Sequence, residues 1–357
     1  MLIKQLTAKL SAGVSIIAGS TTPTIPAAEL FGWIDPVEAD GKLTYGFNSD
    51  RAAVYLNQHI APSVAVKAGV SKVTTHDFME TARQDGNPGR TLDVTATLQQ
   101  LKEYTDAKRA SVSAATRPVA PTVEYTRSYS ATDTGMSALL KHYAESHSGT
   151  FGISLIELSD KRRRAAYQED KTFTTASTYK LFVAYSTLKR VEEGPWQWSD
   201  QIQGGRNLEK CFDDMIVRSD NACAEAMLQK ITYKAATAEI QALGLKNTTF
   251  LKGDTPLTTA GDLSLFNAML QSNQMLSQQA SRDRLIGAMK RNIYRQGIPA
   301  GTGSQVADKV GFLEGLFHDA AIVYGPSGPY VLTIMSDGSN WATIADLTRQ
   351  IESLRNQ

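Results

Sequence analysis

The sequence predicts a mixed α+β chain, α/β in places, built as more than one domain. Three observations carry this. At 357 residues the chain is long enough for two hydrophobic cores. Strand-like and helix-like stretches alternate along it, so neither class dominates. A polar stretch rich in Ser and Thr, residues 124–134, then breaks the pattern and places a boundary near residue 128. The expected domains are residues 1–128, smaller and α+β, and residues 129–357.

The first domain is read in order. Residues 14–18 form a strand. Lys4 and Lys9 precede this short apolar run, but the run is too brief and interrupted for an export signal, so it is read as folded protein. Residues 25–31 form a short helix with Pro26 in its first turn. Trp33 and Ile34 lead to a turn at Asp35-Pro36. Residues 42–47 form a strand. Asp50 caps a helix reaching Ile60, with Val54, Leu56 and Ile60 facing a core. Residues 78–84 form a strand ending at the turn Asp85-Gly86-Asn87-Pro88-Gly89. Asp93 caps a helix carrying Leu98, Leu101 and Tyr104. Residues 112–123 form an extended exit strand stiffened by Pro118 and Pro121.

Beyond the boundary, Met136, Leu139, Leu140 and Tyr143 make a helical stripe. Residues 152–158 form a strand whose hairpin partner begins at Arg164. The turn Asp160-Lys161-Arg162-Arg163 between them is read as a solvated loop.

Composition narrows the function. Apolar residues make up 42% and charged residues 20%, which is ordinary for a soluble globular protein. A net charge of +1 argues against a nucleic-acid binder working by bulk charge. No apolar run approaches the roughly 18 residues of a membrane span. Cys211 and Cys223 lack metal-ligand spacing and the five histidines are scattered, so no metal or cofactor site is read. Two buried free thiols are the preferred reading, with a Cys211–Cys223 disulfide as the alternative.

Three short motifs carry the chemistry. In Thr175-Ala176-Ser177-Thr178-Tyr179-Lys180, a polar loop runs into an apolar helix. Ser177 and Lys180 lie three apart and share a helix face. A serine at a helix N-terminus sits where free N–H groups favour developing negative charge. A neutral lysine one turn on can take its proton. Ser219-Asp220-Asn221 lies between two apolar helical runs, residues 208–217 and 222–231. It points a hydroxyl and an amide into a cleft, or forms an ordinary helix–helix turn with Ser219 or Asp220 as the N-cap. Lys309-Val310-Gly311-Phe312 opens a strand, where a lysine beside a glycine offers positive charge and close backbone approach to an anion.

In this order, Ser-x-x-Lys, Ser-Asp-Asn and Lys-x-Gly make residues from about 134 to 357 resemble the class A β-lactamases and penicillin-binding proteins, the penicillin-recognising serine hydrolases. The resemblance extends to the Ile298-Pro299-Ala300-Gly301 stretch, the turn Gly325-Pro326-Ser327-Gly328 and a last helix over residues 344–354. It implies an antiparallel sheet flanked by helices plus an all-α lobe. It implies that Ser177 is the nucleophile of an acyl-enzyme and Lys180 its activator. Ser219 relays a proton to the leaving nitrogen. Asn221 and Lys309 hold the substrate amide and carboxylate. The N–H groups of Ser177 and Phe312 form the oxyanion hole, and Gly311 allows close backbone approach to the substrate. The implied substrates are β-lactams or D-Ala-D-Ala-type peptidoglycan peptides. The implied location is extracytoplasmic, with no export signal in view, and a monomer is expected.

Residues 25–34, Gly41-Lys42-Leu43-Thr44 and residues 86–101 resemble, in pattern, the peptidoglycan-binding domain that accompanies L,D-transpeptidases and VanW-like proteins. Glycan is the ligand this implies for the first domain.

Two departures bear on turnover. The family carries an omega-loop glutamate that directs the hydrolytic water, yet no glutamate lies between Glu239 and Glu314. Asp254 and Glu225 are the candidate replacements. Val310 stands where the family carries a hydroxyl, which removes one hydrogen bond to a substrate carboxylate, about 1.5–3 kcal/mol. Slow deacylation is therefore expected. The alternatives are an efficient class A-type β-lactamase and a non-catalytic wall-binding protein with a degenerate fold.

Overall fold

The computed structural model describes residues 3–39, 42–252 and 255–357. The chain divides into two compact units, Met1–Thr75 with Glu80–Arg127, and His76–Met79 with Ser128–Gln357.

The first 128 residues run through α1 (Ile3–Leu10), β1 (Val14–Ile17), β2 (Thr24–Ile25), α2 (Ala27–Gly32), β3 (Ile34–Ala39) and β4 (Lys42–Phe47). Next come α3 (Ser49–Tyr55), α4 (Ala61–Val64), β5 (Val70–His76), β6 (Met79–Gln84), β7 (Gly89–Leu92) and α5 (Val94–Thr105). The last strands are β8 (Val112–Ser113), β9 (Thr116–Val119) and β10 (Thr122–Ser128). Leu6, Leu10, Ile16, Ile25, Leu30, Trp33, Leu56 and Leu101 are buried together in one core.

Several local expectations are corrected. Asp35-Pro36 does not turn but lies inside β3, where Pro36 pairs with Tyr45 of β4. A two-stranded ladder leaves an open edge that tolerates the missing N–H. The third helix is capped by Asn48, whose side chain accepts from Arg51 N at 3.1 Å, and not by Asp50. Val54 is 56% exposed while Leu56 and Ile60 are buried. A π turn at Leu56–Ile60 inserts an extra residue and shifts the helical face. Strand β5 has no counterpart in the sequence reading, because its inward positions include Ser71 and Thr75 rather than apolar residues alone.

The second unit contains α6 (Asp133–Ser146), β11 (Thr150–Glu157), β12 (Arg164–Tyr167), β13 (Thr172–Thr174), α7 (Lys180–Glu193), β14 (Gln201–Gln203) and β15 (Arg206–Asn207). It continues with α8 (Leu208–Val217), α9 (Asn221–Ile231), α10 (Tyr233–Ala242), β16 (Leu257–Thr259), α11 (Ala260–Gln271), α12 (Gln279–Lys290) and α13 (Ile298–Gly301). Strands β17 (Gln305–Leu313), β18 (Leu316–Gly325) and β19 (Gly328–Asp337) and helix α14 (Trp341–Arg355) complete it.

Its main sheet is antiparallel in the order β12-β11-β19-β18-β17. One face buries Leu155, Val323 and Leu332 with Met136, Leu140 and Tyr143 of α6 and Ile344, Leu347 and Ile351 of α14. The other buries Ala320, Ile322 and Val331 with the helical lobe, where Phe182, Phe212, Met227 and Phe266 meet. Strand β17 is an edge, so every second backbone group faces away from its ladder partner.

The basic turn after β11 is not wholly solvated. Arg163 is 7% exposed and donates to both Glu157 oxygens, at 2.8 and 2.7 Å. Arg355 donates to Glu157 Oε1 at 2.8 Å. Burial works to raise the Glu157 carboxyl, but the two arginines outweigh it and hold it below its usual range. One buried acid thus ties β11, the hairpin turn and α14 together.

Among the described residues no helix is long and apolar enough to cross a membrane. Among them, too, no group of three His, Cys, Asp or Glu side chains could hold a metal ion.

Candidate active site

Strand β13 pairs with β16, and Thr175 N donates to Pro256 O at 3.0 Å. Ala176 then takes a left-handed conformation, φ 43°. A tight 3-10 turn, Ala176–Tyr179, leads into α7. Thr178 Oγ1 donates to Thr175 O at 2.7 Å and fastens that turn. Ser177 is therefore carried at the head of a helix whose next residues, Leu181 to Leu188, are buried. Lys180 is itself fully buried.

The Lys180 Nζ lies within hydrogen-bond reach of four oxygens. It lies 2.7 Å from Ser219 O, 2.6 Å from Asn221 Oδ1, 2.9 Å from Ser177 Oγ and 3.2 Å from Ser219 Oγ. An ammonium has three protons. Two of the four, Ser219 O and Asn221 Oδ1, can only accept, so the two N–H groups of a neutral amine serve them and its lone pair is left for a serine hydroxyl. Burial pulls the Lys180 ammonium down to about 8, while the charges of Asp220 and Glu225 hold it up.

Ser219 and Asn221 are brought in by the turn between α8 and α9. Asp220 caps α9, accepting from Cys223 N at 2.8 Å. Arg206 reaches across from β15 to Asp214 and Asp220, at 3.1 and 3.0 Å, and pins the turn. Ser219 sits at φ 59°, a left-handed conformation that aims its hydroxyl between two lysines. The turn thus serves both as a cap and as a presenter of side chains. Cys211 and Cys223 are joined in a disulfide, with Cα atoms 5.1 Å apart. The expectation of free thiols is corrected. Both face the α8–α9 contact, within the separation a disulfide spans.

Lys309 arrives from β17. It is fully buried and donates to Ser219 Oγ at 2.9 Å and Val310 O at 2.8 Å. Burial and then the Lys180 charge push it down to about 7, against the pull of Asp308 and Asp319. Behind it, Asp308 is held by Arg295 and by Asn292 Nδ2 at 2.7 Å. Asp319 accepts from Ile298 N at 2.8 Å and is raised by burial to about 7. Gly311 marks the closest approach of β17 to the serine turn. A Cβ there would stand 2.8 Å from Thr175 O and 3.0 Å from Ser177 N. Phe312 lies beyond it, 44% exposed.

Ser177, Asn221 and Phe312 line a pocket of about 210 Å³ with Thr174, Tyr179, Glu225, Thr255, Pro256 and Leu313. Lys180, Ser219 and Lys309 connect to it through one chain of hydrogen bonds. All seven residues singled out from the motifs thus fall on one pocket and its wall. Thr255, Pro256, Tyr179 and Arg206 were not singled out. Arg206 lies fourteen residues before Asp220 with no motif around it. Asp254 lies outside the described residues. A hydroxyl paired with a buried amine, with a second lysine across a shared hydroxyl, is an arrangement able to support acyl transfer.

The chain belongs to the Beta-lactamase enzyme family, whose sequence model matches residues 135–354. Among solved structures it is similar to PBP-A, at 22% identity and TM-score 0.57, over 64% of this chain and 98% of that one. A PBP-A mutant is solved as an acyl-enzyme complex with penicillin G, at 22% identity and TM-score 0.56, over 61% of this chain and 94% of that one. An ancestral class A β-lactamase aligns at 24% identity and TM-score 0.56, over 60% and 98%. The β-lactamase from Sphaerobacter thermophilus DSM 20745 aligns at 20% identity and TM-score 0.54, over 60% and 94%. At these identities the likeness is one of fold. Comparison with curated proteins gave no match.

Proposed function

We propose that this chain is a serine hydrolase that forms an acyl-enzyme on Ser177 with β-lactams or D-Ala-D-Ala-type peptidoglycan peptides and releases it slowly. The observation that carries the reading is the Ser177 hydroxyl 2.9 Å from a buried amine held near neutrality. Ser177 Oγ bonds to the substrate carbonyl carbon while its proton passes to the neutral Lys180 amine. The carbon–nitrogen bond then breaks, and the leaving nitrogen takes a proton through Ser219 Oγ, which stands within reach of both lysines. Lys309 supplies charge for a substrate carboxylate and Asn221 an amide for its side chain. The N–H groups of Ser177 and Phe312 supply an oxyanion hole, for which Gly311 permits the close strand.

Slow release is inferred from the sequence, which has no glutamate between Glu239 and Glu314 to direct water from that loop. Among the described residues the loop contributes Thr255 and Pro256 to the pocket wall. The Cys211–Cys223 disulfide favours an oxidising, extracytoplasmic location. Cell-wall glycan is the ligand proposed for the first 128 residues.

Labelling with a fluorescent penicillin tests the reading. A covalent band that persists, and is lost in Ser177→Ala, supports the acyl-enzyme. Turnover with no accumulated adduct supports an efficient β-lactamase, and neither band nor turnover supports a non-catalytic binder.

A further inference from the structure

An acyl-serine ester is released when water adds to its carbonyl, and that water must lose a proton as it attacks. Among the described residues, one acidic side chain lines the pocket of Ser177, and it is Glu225. It follows Asn221 by four residues on α9, so the two share a helix face. Four residues of helical rise place them about 6 Å apart along the axis. Asn221 is anchored at the nucleophile end: its Oδ1 accepts from Lys180 Nζ at 2.6 Å, and that Nζ is 2.9 Å from Ser177 Oγ. Glu225 and Ser177 line the same pocket of about 210 Å³, which has room for a water of roughly 30 Å³.

The other acid close to the lysine is committed elsewhere. Asp220 is bonded to Arg206 and to Cys223 N. Among the described residues the Glu225 side chain makes no hydrogen bond or ion pair, so its lone pairs are free. Its charge is nonetheless felt at the site: burial lowers Lys180 against the opposing charges of Asp220 and Glu225, and burial and then Glu225 raise the Tyr179 hydroxyl.

We propose that Glu225 is the general base of deacylation, which rests on the reading that Ser177 forms an acyl-enzyme. The Glu225 carboxylate takes a proton from the water as the water oxygen bonds to the acyl carbon. The carbonyl pair moves onto the oxyanion. The intermediate collapses and the bond from carbon to Ser177 Oγ breaks. The proton held on Glu225 passes to the neutral Lys180 amine, which hands it to Ser177 Oγ, and the carboxylic acid product leaves.

The test is intact-mass spectrometry of wild type and Glu225→Gln over time, after excess penicillin G is removed. Both are expected to carry the added mass. The variant is expected to hold it on the order of 100-fold longer. Glu225→Asp should fall between them. Equal lifetimes in wild type and Glu225→Gln overturn the proposal. A variant that takes up no mass while wild type does also overturns it, since Glu225 would then act in acylation. No added mass on wild type removes the acyl-enzyme itself, and the functional reading with it.

Discussion

If Lys180 is the base that activates Ser177, acylation must follow the fraction of Lys180 that is neutral. An ordinary lysine titrates near 10.5, and burial brings this one to about 8. At pH 7 the neutral fraction is then about one in ten, against about one in 3,000 for an unshifted amine. The gain is about 300-fold, or about 3 kcal/mol at 1.36 kcal/mol per pKa unit. The sign follows directly. Below pH 8 each unit of rise brings about tenfold more neutral amine, and above it the rate levels. Lys309 works the other way. Its charge is lost as pH rises through about 7, which weakens the grip on a substrate carboxylate. The product of the two fractions is greatest between these values, so kcat/KM should be bell-shaped with an optimum near 7.5. Stopped-flow acylation with a fluorescent penicillin, from about pH 5.5 to 9.5, reads both limbs. Lys180→Arg keeps the positive charge but cannot accept a proton near neutrality. It should lose on the order of 10²–10⁴ in acylation and its rising limb as well. A flat wild-type profile, or the same rising limb in Lys180→Arg, would refute Lys180 as the base.

Two further predictions follow from the packing. Gly311→Ala places a Cβ 2.8 Å from Thr175 O and 3.0 Å from Ser177 N, and backbone atoms cannot swing aside as a side-chain tip would. Acylation should fall on the order of 100-fold with a stability loss of only about 1–3 kcal/mol; an unchanged rate means that the turn and strand need not touch. Replacing both Cys211 and Cys223 by serine opens a short loop closed by the disulfide. The cost should be about 3 kcal/mol by denaturant titration, and equal midpoints for the two proteins would show that the bridge does not restrain the unfolded chain.

Much of this architecture is legible in the sequence because its signals are local. The stripe of Met136, Leu139, Leu140 and Tyr143 specifies a buried helix face, and α6 buries all four. Asp93 is legible as a cap because its side chain needs only the N–H three residues on, and it accepts from Ala96 N at 2.9 Å. The family is legible because three motifs occur in a fixed order. What escapes is set by partners distant in sequence. Arg163 looks like one more charge in a basic turn until Glu157 and Arg355 are seen beside it, 192 residues separating the two arginines. The Cys211–Cys223 pair is ambiguous until α9 folds back on α8. Asn48 and Asp50 both suit an N-cap, and only the chain direction out of β4 chooses between them. Arg206 has no pattern around it, yet it pins the turn that presents Ser219.

The costs at four positions of the second unit bear on the catalytic reading against the wall-binding one. Two lysines are fully buried near each other, and each is pushed down in pKa by that burial. Ala176 and Ser219 both hold a left-handed backbone, which costs an L-residue roughly 1–2 kcal/mol. A domain kept only for its shape would gain from an apolar side chain at positions 180 and 309, since buried ions replaced by well-packed apolar groups are often neutral or stabilising. Glycine at positions 176 and 219 would relieve the backbone. All four positions lie on the hydrogen-bonded site of Ser177, although left-handed residues also occur elsewhere in the unit, at Arg162, Gln168, Thr232, Asn273 and Glu314. Chemistry at Ser177 would supply a physical cause for the two buried lysines, because a nucleophile needs a desolvated base and a held geometry. Binding alone supplies none, because a wall ligand could be held by charged and polar groups that stay in water.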